Sequence, residues 1–333
     1  MPTVPGPTRR LLLAVLATLA PAVAASPAGA AGHASPSARS ANVGIVDIYT
    51  TLGYQSGIAA GTGMIISHSG EILTNNHVIR GATKFKVVDV TTHRKYNATV
   101  AGYSVSHDVA VLHLAGASHL QTIKLGNGVR VRVGQTVVAR GNAEGLGGAP
   151  RAARGHVLAL HRQISASDET GGSETLRNVI AVDAPVVPGD SGGPLEDAHN
   201  RVLGMVTAGS TSGVHRGFAI PIRHALVYAR LIEKGKSSAT IHVGPTAFLG
   251  VELSDVSGGA EIQRIVPDKA ADAAGLVAGD VITTLNGATI SSSADIRRAV
   301  LSLVPGTAVP IEWTDAGGAA QTGSITPTSG PPQ

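Results

Sequence analysis

Pro188-Gly189-Asp190-Ser191-Gly192-Gly193-Pro194 is the stretch from which the fold of this 333-residue chain can be predicted. It sets one serine among glycines, whose missing side chains allow a tight loop with backbone N–H groups directed at one point. Such N–H groups stabilise a developing oxyanion, and a serine beside them becomes a nucleophile once a base removes its proton. A lone serine among glycines is usually only a turn, but six matching residues favour a nucleophile loop.

Two further segments supply the groups that this serine needs. Residues 73–78 (LTNNHV) present His77 after an apolar run, and residues 107–112 (HDVAVL) place Asp108 at the mouth of an apolar strand. An imidazole can take the serine proton and return it to a leaving amine, while a buried carboxylate fixes its tautomer. Taken singly, His77 is one of 13 histidines and Asp108 could equally cap a strand. Their order along the chain, His77, Asp108, Ser191, is that of the two-barrel proteases and predicts a catalytic triad.

The pattern around these segments predicts a mostly β protein. Short β-rich runs separated by glycine-containing turns follow one another without helical periods, which is typical of antiparallel barrels. The first amphipathic helix is predicted at 224–234. Examples of the predicted strands are 43–49, 63–67, 84–90, 109–114, 135–139, 156–160 and 202–206.

The character of the sequence changes near residue 246, after a linker predicted at 236–245. Strands and helices then alternate, with Gly275 ending the first helix and Asn286-Gly287 forming a turn. This predicts a second, mixed α/β domain. Its predicted strands are 248–253, 261–266, 280–285 and 308–314, and its predicted helices are 268–274 and 293–303.

The N-terminus predicts export. Arg9 and Arg10 precede an apolar stretch and then Pro21 and small residues, which is the order of a signal peptide. An uncleaved membrane anchor is the alternative, but Pro21 ends the apolar run well short of the ~20 residues that span a bilayer. We therefore expect a signal peptide over 1–25, by the Sec or the twin-arginine route, and a flexible leader over 26–41. The protein is expected to be secreted or extracytoplasmic, in the cell envelope.

Composition excludes several other classes of function. The formal net charge of +4 includes Arg9 and Arg10, and the basic residues are scattered, so no nucleic-acid partner is expected. There is no cysteine, so the fold depends on core burial without disulfides. No pair of histidines lies at i, i+4 beside a glutamate, and triad chemistry needs no cofactor, so neither metal nor cofactor is expected.

Residues 42–230 resemble the protease domain of the HtrA family, a trypsin-like group, and residues 246–326 resemble the PDZ domain that follows it there. The protease motifs are 61–66 (GTGMII), 74–78 (TNNHV), 108–112 (DVAVL), 189–195 (GDSGGPL) and 217–221 (GFAIP). The PDZ motifs are 248–251 (FLGV), 273–276 (AAGL) and 279–287 (GDVITTLNG). The resemblance implies a trypsin-like double antiparallel β-barrel over 42–235 and a small α/β PDZ domain over 246–328.

For the protease domain, the resemblance implies an oxyanion hole made by the backbone N–H groups of Gly189 and Ser191. Thr207 falls where the fold usually sets a hydroxyl beside the catalytic aspartate, although it could be an ordinary strand residue. Pro185 stands where a tryptic enzyme carries an acid, so the primary pocket should prefer a small or medium apolar side chain. The other expected walls of that pocket are Thr207, Ala208, Gly209 and Gly217.

One residue departs from the pattern. Many HtrA proteins carry asparagine before the serine, whereas this chain has Asp190, as digestive trypsin-like enzymes do. In those enzymes the aspartate pairs with a new N-terminus. Whether Asp190 has a partner here is left open by the sequence.

For the PDZ domain, the resemblance implies capture of a peptide carboxylate by Phe248-Leu249-Gly250, with strand addition along the groove. Val251, Ile296 and Val300 would line the pocket, although these apolar residues could belong only to the core.

The resemblance implies a serine endopeptidase acting on unfolded or damaged extracytoplasmic proteins, with PDZ recognition of C-terminal or extended peptides. One alternative is a regulated or inactive chaperone or peptide-binding protein, and another is a secreted digestive protease. The family is commonly trimeric through its N-terminal segment, so a homotrimer is one arrangement to consider. Here the large aromatics of that segment are Tyr49 and Tyr54.

Overall fold

The computed structural model describes residues 41–54, 57–126, 128–167, 173–209 and 216–333. The predicted signal peptide and almost all of the predicted leader lie outside these residues. Strands dominate the described part of the chain, as the sequence predicts.

The first barrel is formed by six antiparallel strands. They follow the order β5-β4-β1-β2-β3-β6, and β6 closes the barrel by pairing with β5. Ile48, Ile65 and Leu112 lie fully buried in its core. A single helical turn, α1 (Asn76–Ile79), follows β3. The strands are β1 (Ile45–Leu52), β2 (Gly57–Ile65), β3 (Glu71–Thr74), β4 (Ala82–Asp89), β5 (Lys95–Ser104) and β6 (Val109–Leu114).

The second barrel is a closed ring of six strands in the order β10-β11-β12-β9-β8-β7. Helix α2 (Ile222–Glu233) follows it and buries Ile222, Leu226 and Ile232 in a core that also contains residues of both barrels. That shared core fixes the first barrel against the second. The strands are β7 (Thr136–Gly141), β8 (Arg151–Ser167), β9 (Ser173–Val182), β10 (Pro194–Glu196), β11 (Val202–Gly209) and β12 (Gly217–Pro221), and a 3₁₀ turn spans Ala143–Gly145.

The stretch predicted as a linker is partly β structure. Strand β13 (His242–Val243) pairs with Tyr103 and Gly102 of β5 and so extends the first sheet by one strand. The cause is that the open edge of β5 offers backbone groups to which a passing chain can bond. The rest of the predicted linker, 236–241 and 244–245, runs between regular elements.

The C-terminal domain is a sheet in the order β15-β16-β17-β19-β20, with β18 beside β17, and a separate pair β14–β21. The predicted strand 248–253 is interrupted at Leu249-Gly250, because Gly250 has φ +80° and turns the chain between β14 and β15. The elements are β14 (Thr246–Phe248), β15 (Val251–Val256), β16 (Gly259–Ile265), α3 (Ala270–Ala273), β17 (Val281–Leu285), β18 (Ala288–Thr289), α4 (Ser293–Val300), β19 (Val309–Thr314), β20 (Ala320–Ile325) and β21 (Thr328–Gly330).

The residues after β21 contact the first barrel. The N–H of Gly81 donates to the carbonyl of Pro332 at 2.9 Å, and the Asn76 side-chain amide donates to the carbonyl of Gln333 at 3.1 Å. The Gln333 N–H donates to the Tyr103 hydroxyl at 3.2 Å. The ordered chain therefore extends beyond the predicted PDZ boundary at 328.

Candidate active site

His77 and Asp108 come from the first barrel and bond to each other. His77 is the second residue of α1, and its Nδ1 lies 3.0 Å from both carboxylate oxygens of Asp108. The backbone N–H of His77 also donates to Asp108 Oδ1 at 3.0 Å. The carboxylate is almost wholly buried, so these donors replace the water that it loses. The pair fixes the orientation of the imidazole.

The turn at Asp108 and the residue that precedes α1 both help to hold the His77–Asp108 pair in place. Asp108 has φ +49°, a left-handed conformation that aspartate tolerates better than most residues, and it ends the turn that enters β6. The Asn75 side-chain amide donates to the Asp108 carbonyl at 2.9 Å. The turn before β6 and the end of β3 are thereby joined directly beside His77.

Thr207, on β11 of the second barrel, contacts both Asp108 and Ser191. Its hydroxyl donates to Asp108 Oδ2 at 2.5 Å, and its carbonyl accepts the Ser191 hydroxyl at 3.4 Å. One residue thus spans the gap between the carboxylate and the serine. The hydroxyl expected beside Asp108 is therefore present.

The serine loop is tied to the first barrel through Thr62 of β2. The Thr62 hydroxyl donates to the Gly189 carbonyl at 2.7 Å and accepts the Asn142 N–H at 2.8 Å. Its backbone N–H donates to the Ser191 carbonyl at 2.8 Å. Thr62 is fully buried, so these bonds are made away from water. They fix the loop at two successive points around Asp190.

The Pro188–Gly189 peptide is oriented by a bond from the loop after β7. The Pro188 carbonyl accepts the Glu144 N–H at 2.7 Å. Since a trans peptide directs its C=O and N–H to opposite sides, the Gly189 N–H points away from Glu144. Gly189 has φ +93°, and a Cβ there would overlap the Asn142 carbonyl, so the position requires glycine. Within the described residues, the N–H groups of Gly189 and Ser191 donate to no protein acceptor.

Two of the residues predicted to line the primary pocket, Gly209 and Gly217, lie against Val186, a side chain that was not predicted there. Gly209 pairs with Gly217 across β11 and β12. A Cβ built on Gly217 would lie 2.6 Å from Val186 Cγ2, and one on Gly209 would lie 3.7 Å from Val186 Cγ1. The isopropyl group therefore occupies the space beside both glycines. Its place directly after Pro185 in the serine loop is the one signal that could have identified it.

Asp190 turns its carboxylate into the protein. Burial raises its pKa, while the Val187 N–H and the charge of Arg151 act in the opposite direction. The partner that the sequence left open is therefore an arginine at the start of β8.

Comparisons with known proteins identify two domain families in the chain. The family described as "Trypsin-like peptidase domain" matches residues 61–205, and "PDZ domain" matches residues 247–314. The chain is 34% identical over 303 residues to "Serine protease PepD" of Mycobacterium tuberculosis, covering 85% of this chain and 63% of that protein. The solved structure "HtrA-type protease AlgW with tripeptide" is 27% identical, with a TM-score of 0.52, covering 89% of this chain and 96% of that one.

The chain belongs to the HtrA family.

A third similar protein is "Periplasmic pH-dependent serine endoprotease DegQ" of Escherichia coli, which is 35% identical over 267 residues, covering 75% of this chain and 55% of DegQ. This HtrA chain therefore spans between about half and two thirds of the length of the curated relatives named here.

The PDZ domain of this HtrA chain offers an edge strand beside a helix. Strand β15 pairs with β16 on one side and stands at the end of the sheet order. Helix α4 lies alongside, and its Ser293 N–H donates to Asp255 Oδ1 of β15 at 2.7 Å. This bond is the main cause that lowers the pKa of Asp255. An edge strand next to a helix is the geometry that accepts an added peptide strand.

The predicted carboxylate loop lies at the start of that strand. Phe248 ends β14, and the buried Leu249 and Gly250 lead into Val251 of β15. Ile296 and Val300 of α4 are 4% and 3% exposed and pack in the domain core. Both are core residues in this structure, and their place in a peptide pocket stays a prediction.

The tyrosines considered for an oligomer interface make contacts within the chain. The Tyr54 ring stacks on Phe248 with centroids 4.7 Å apart. A Cβ at Gly147 would lie 2.5 Å from the Tyr49 hydroxyl, so that tyrosine packs on the loop after β7. The homotrimer stays a prediction.

Within the described residues, no cluster of His, Cys, Asp or Glu side chains has an arrangement that could hold a metal ion. Over the same residues, no helix combines the length and the apolar character needed to cross a bilayer.

Proposed function

We propose that this chain is a serine endopeptidase with His77 as general base and acid, Asp108 as its orienting carboxylate and Ser191 as the nucleophile. The observation that carries the proposal is the double contact of Thr207 with the Asp108 carboxylate and the Ser191 hydroxyl. It supports a triad assembled from both barrels, because His77 and Asp108 belong to the first and Ser191 to the second.

In the first half-reaction, Ser191 Oγ bonds to the substrate carbonyl carbon while His77 Nε2 takes the hydroxyl proton. The carbonyl oxygen becomes an oxyanion, which accepts hydrogen bonds from the backbone N–H groups of Gly189 and Ser191. The imidazolium then gives its proton to the amine nitrogen as the C–N bond breaks. The new amine leaves, and the acyl group stays on Ser191.

In the second half-reaction, a water molecule replaces the amine. His77 takes one of its protons, and the hydroxyl oxygen bonds to the acyl carbon. The proton returns to Ser191 Oγ as the ester bond breaks, which releases the carboxylic acid and regenerates the triad. Asp108 keeps its charge throughout and stabilises the imidazolium.

The substrates that we propose are proteins cleaved after small apolar side chains. Val186 supports this preference, because its side chain occupies the space beside Gly209 and Gly217 that a long side chain would need. Pro185 supplies no acid to bind Lys or Arg. The expected products therefore end in residues such as alanine or valine.

The proposed setting is extracytoplasmic quality control of unfolded or damaged proteins. The N-terminal signal and the relatives whose names include "periplasmic" support the location. The edge strand β15 and the loop Phe248-Leu249-Gly250 support binding of C-terminal or extended peptides by the PDZ domain.

Casein digestion by the purified chain and by Ser191→Ala tests the proposal, with cleavage sites mapped by mass spectrometry. We expect cleavage by the unsubstituted chain alone, after small apolar residues, and fluorophosphonate labelling at Ser191. A folded chain that neither digests casein nor labels, with or without a PDZ-binding peptide, would favour the inactive chaperone instead. Cleavage after Lys or Arg would contradict the pocket assignment and leave the triad intact.

A further inference from the structure

The carboxylate of Asp190 is buried with few partners. It is 2% exposed, its Oδ2 accepts the Val187 N–H at 3.0 Å, and Nη1 of Arg151 lies 3.5 Å from the same oxygen. In the described part of the chain, Oδ1 has no hydrogen-bond partner. A buried carboxylate is costly unless an opposite charge compensates it. Arg151 is the charged group that acts on it here.

The register of the second barrel brings Arg151 to this position. It begins β8 and lies directly opposite Gly141 of β7. A Cβ on Gly141 would lie 2.5 Å from Asp190 Cα, so glycine there makes room for Asp190 against the sheet. The side chain of the cross-strand neighbour then reaches the carboxylate. Arg151 and Asp190 are 39 residues apart in the chain.

The same guanidinium nitrogen also bonds to the start of the serine loop. Nη1 donates to the Pro185 carbonyl at 2.9 Å. Arg151 therefore connects the first residue of the predicted pocket wall with the residue that directly precedes Ser191. Its side chain is 40% exposed, so the guanidinium stays partly hydrated while one nitrogen faces the loop.

We propose that Arg151 is a positioning residue for the oxyanion loop, acting through Asp190. Its charge keeps the ionised carboxylate of Asp190 inside the protein, and this holds the Gly189 and Ser191 N–H groups in the direction that binds an oxyanion. The inference rests on the proposed function, since it takes those N–H groups as the oxyanion hole. Arg151 itself touches neither substrate nor the reacting atoms.

The test is a pair of substitutions with a matched control. Arg151→Met keeps an apolar stem but leaves the carboxylate without its cation, and we expect kcat/KM for a peptide substrate to fall about tenfold or more, mainly in kcat. Adding Asp190→Asn to Arg151→Met removes the buried charge, so this double variant should recover most of the lost kcat/KM. Arg154→Met changes an exposed arginine on the same strand, one without an ion pair among the described residues, and should leave kcat/KM unchanged.

The pH profile separates positioning from a general structural defect. A protonated Asp190 needs no cation, so the ratio of kcat/KM between Arg151→Met and the unsubstituted chain should decline as pH rises. A constant ratio, or a double variant no more active than Arg151→Met, would overturn the inference.

Failure of the proposed function would be visible separately. If the unsubstituted chain never labels at Ser191, the endopeptidase proposal fails. The ion pair is then tested by a double-mutant cycle in urea unfolding with the unsubstituted chain, Arg151→Met, Asp190→Asn and the double variant. A coupling that is zero or unfavourable between Arg151 and Asp190 overturns the inference there too, while a stabilising coupling supports the link between the two side chains on which it depends.

Discussion

Thr62→Val tests how strongly the first barrel fixes the serine loop. Valine has nearly the shape of threonine, but it can neither donate to the Gly189 carbonyl nor accept the Asn142 N–H. Both groups are buried, so the substitution leaves one C=O and one N–H without partners. An unsatisfied buried polar group costs about 1–3 kcal/mol, so the free energy of unfolding should fall by about 2–6 kcal/mol.

Thr62→Ser is the matched control. It keeps the hydroxyl and loses one buried methyl, which costs about 1 kcal/mol. Urea unfolding of the two variants should therefore separate the hydrogen bonds from the packing. Activity should follow the same order, since Gly189 loses its anchor only in the valine variant, and we expect at least a tenfold lower kcat there. Equal unfolding free energies and equal kcat for the two variants would refute the reasoning.

Three other substitutions probe separate parts of the molecule. Burial raises the pKa of Asp47 to about 6 from its ordinary value of 3.8, so between these pH values the folded state binds more protons at this group than the unfolded state. The contribution of Asp47 to the free energy of unfolding should therefore fall by about 3 kcal/mol as pH rises through this window. Asp47→Asn should remove that fall, which urea unfolding near pH 4 and near pH 8 would reveal; an unchanged fall would contradict it. Val186→Gly should open the pocket and raise the ratio of cleavage after Phe to cleavage after Ala at least tenfold in a peptide library, and an unchanged ratio would place the pocket elsewhere. Thr207→Val should lower kcat/KM, because Asp108 loses a hydroxyl donor and with it about 2 kcal/mol of transition-state stabilisation. Full activity of this variant in steady-state assays would rule out that role.

The candidate triad could be predicted from the sequence because each member stands in a short local motif. His77 follows a strand and Asp108 precedes one, and both occupy these positions in the structure. The helix predicted at 224–234 nearly coincides with the observed α2. The observed helix begins earlier, at Ile222, because it continues directly from the end of β12.

The features that the sequence did not predict depend on pairing between distant segments. Strand β5 alternates exposed and buried residues along KYNATVAGYS, so its apolar content is diluted below that of the strands predicted. Val186 became recognisable only through the pairing of Gly209 with Gly217, and Arg151 only through its register opposite Gly141. No local pattern specifies which residue lies across a barrel from another.

Strand β13 bears on where the two domains can be cut apart. A protease fragment that stopped at residue 240 would lose His242 and Val243 and leave the backbone of β5 open at Gly102 and Tyr103. Open edges of this kind recruit strands from other molecules, so such a fragment would be prone to self-association in solution. A fragment that ended after Val243 would keep its own edge covered. Comparing the two fragments would separate the loss of the PDZ domain from damage to the barrel itself.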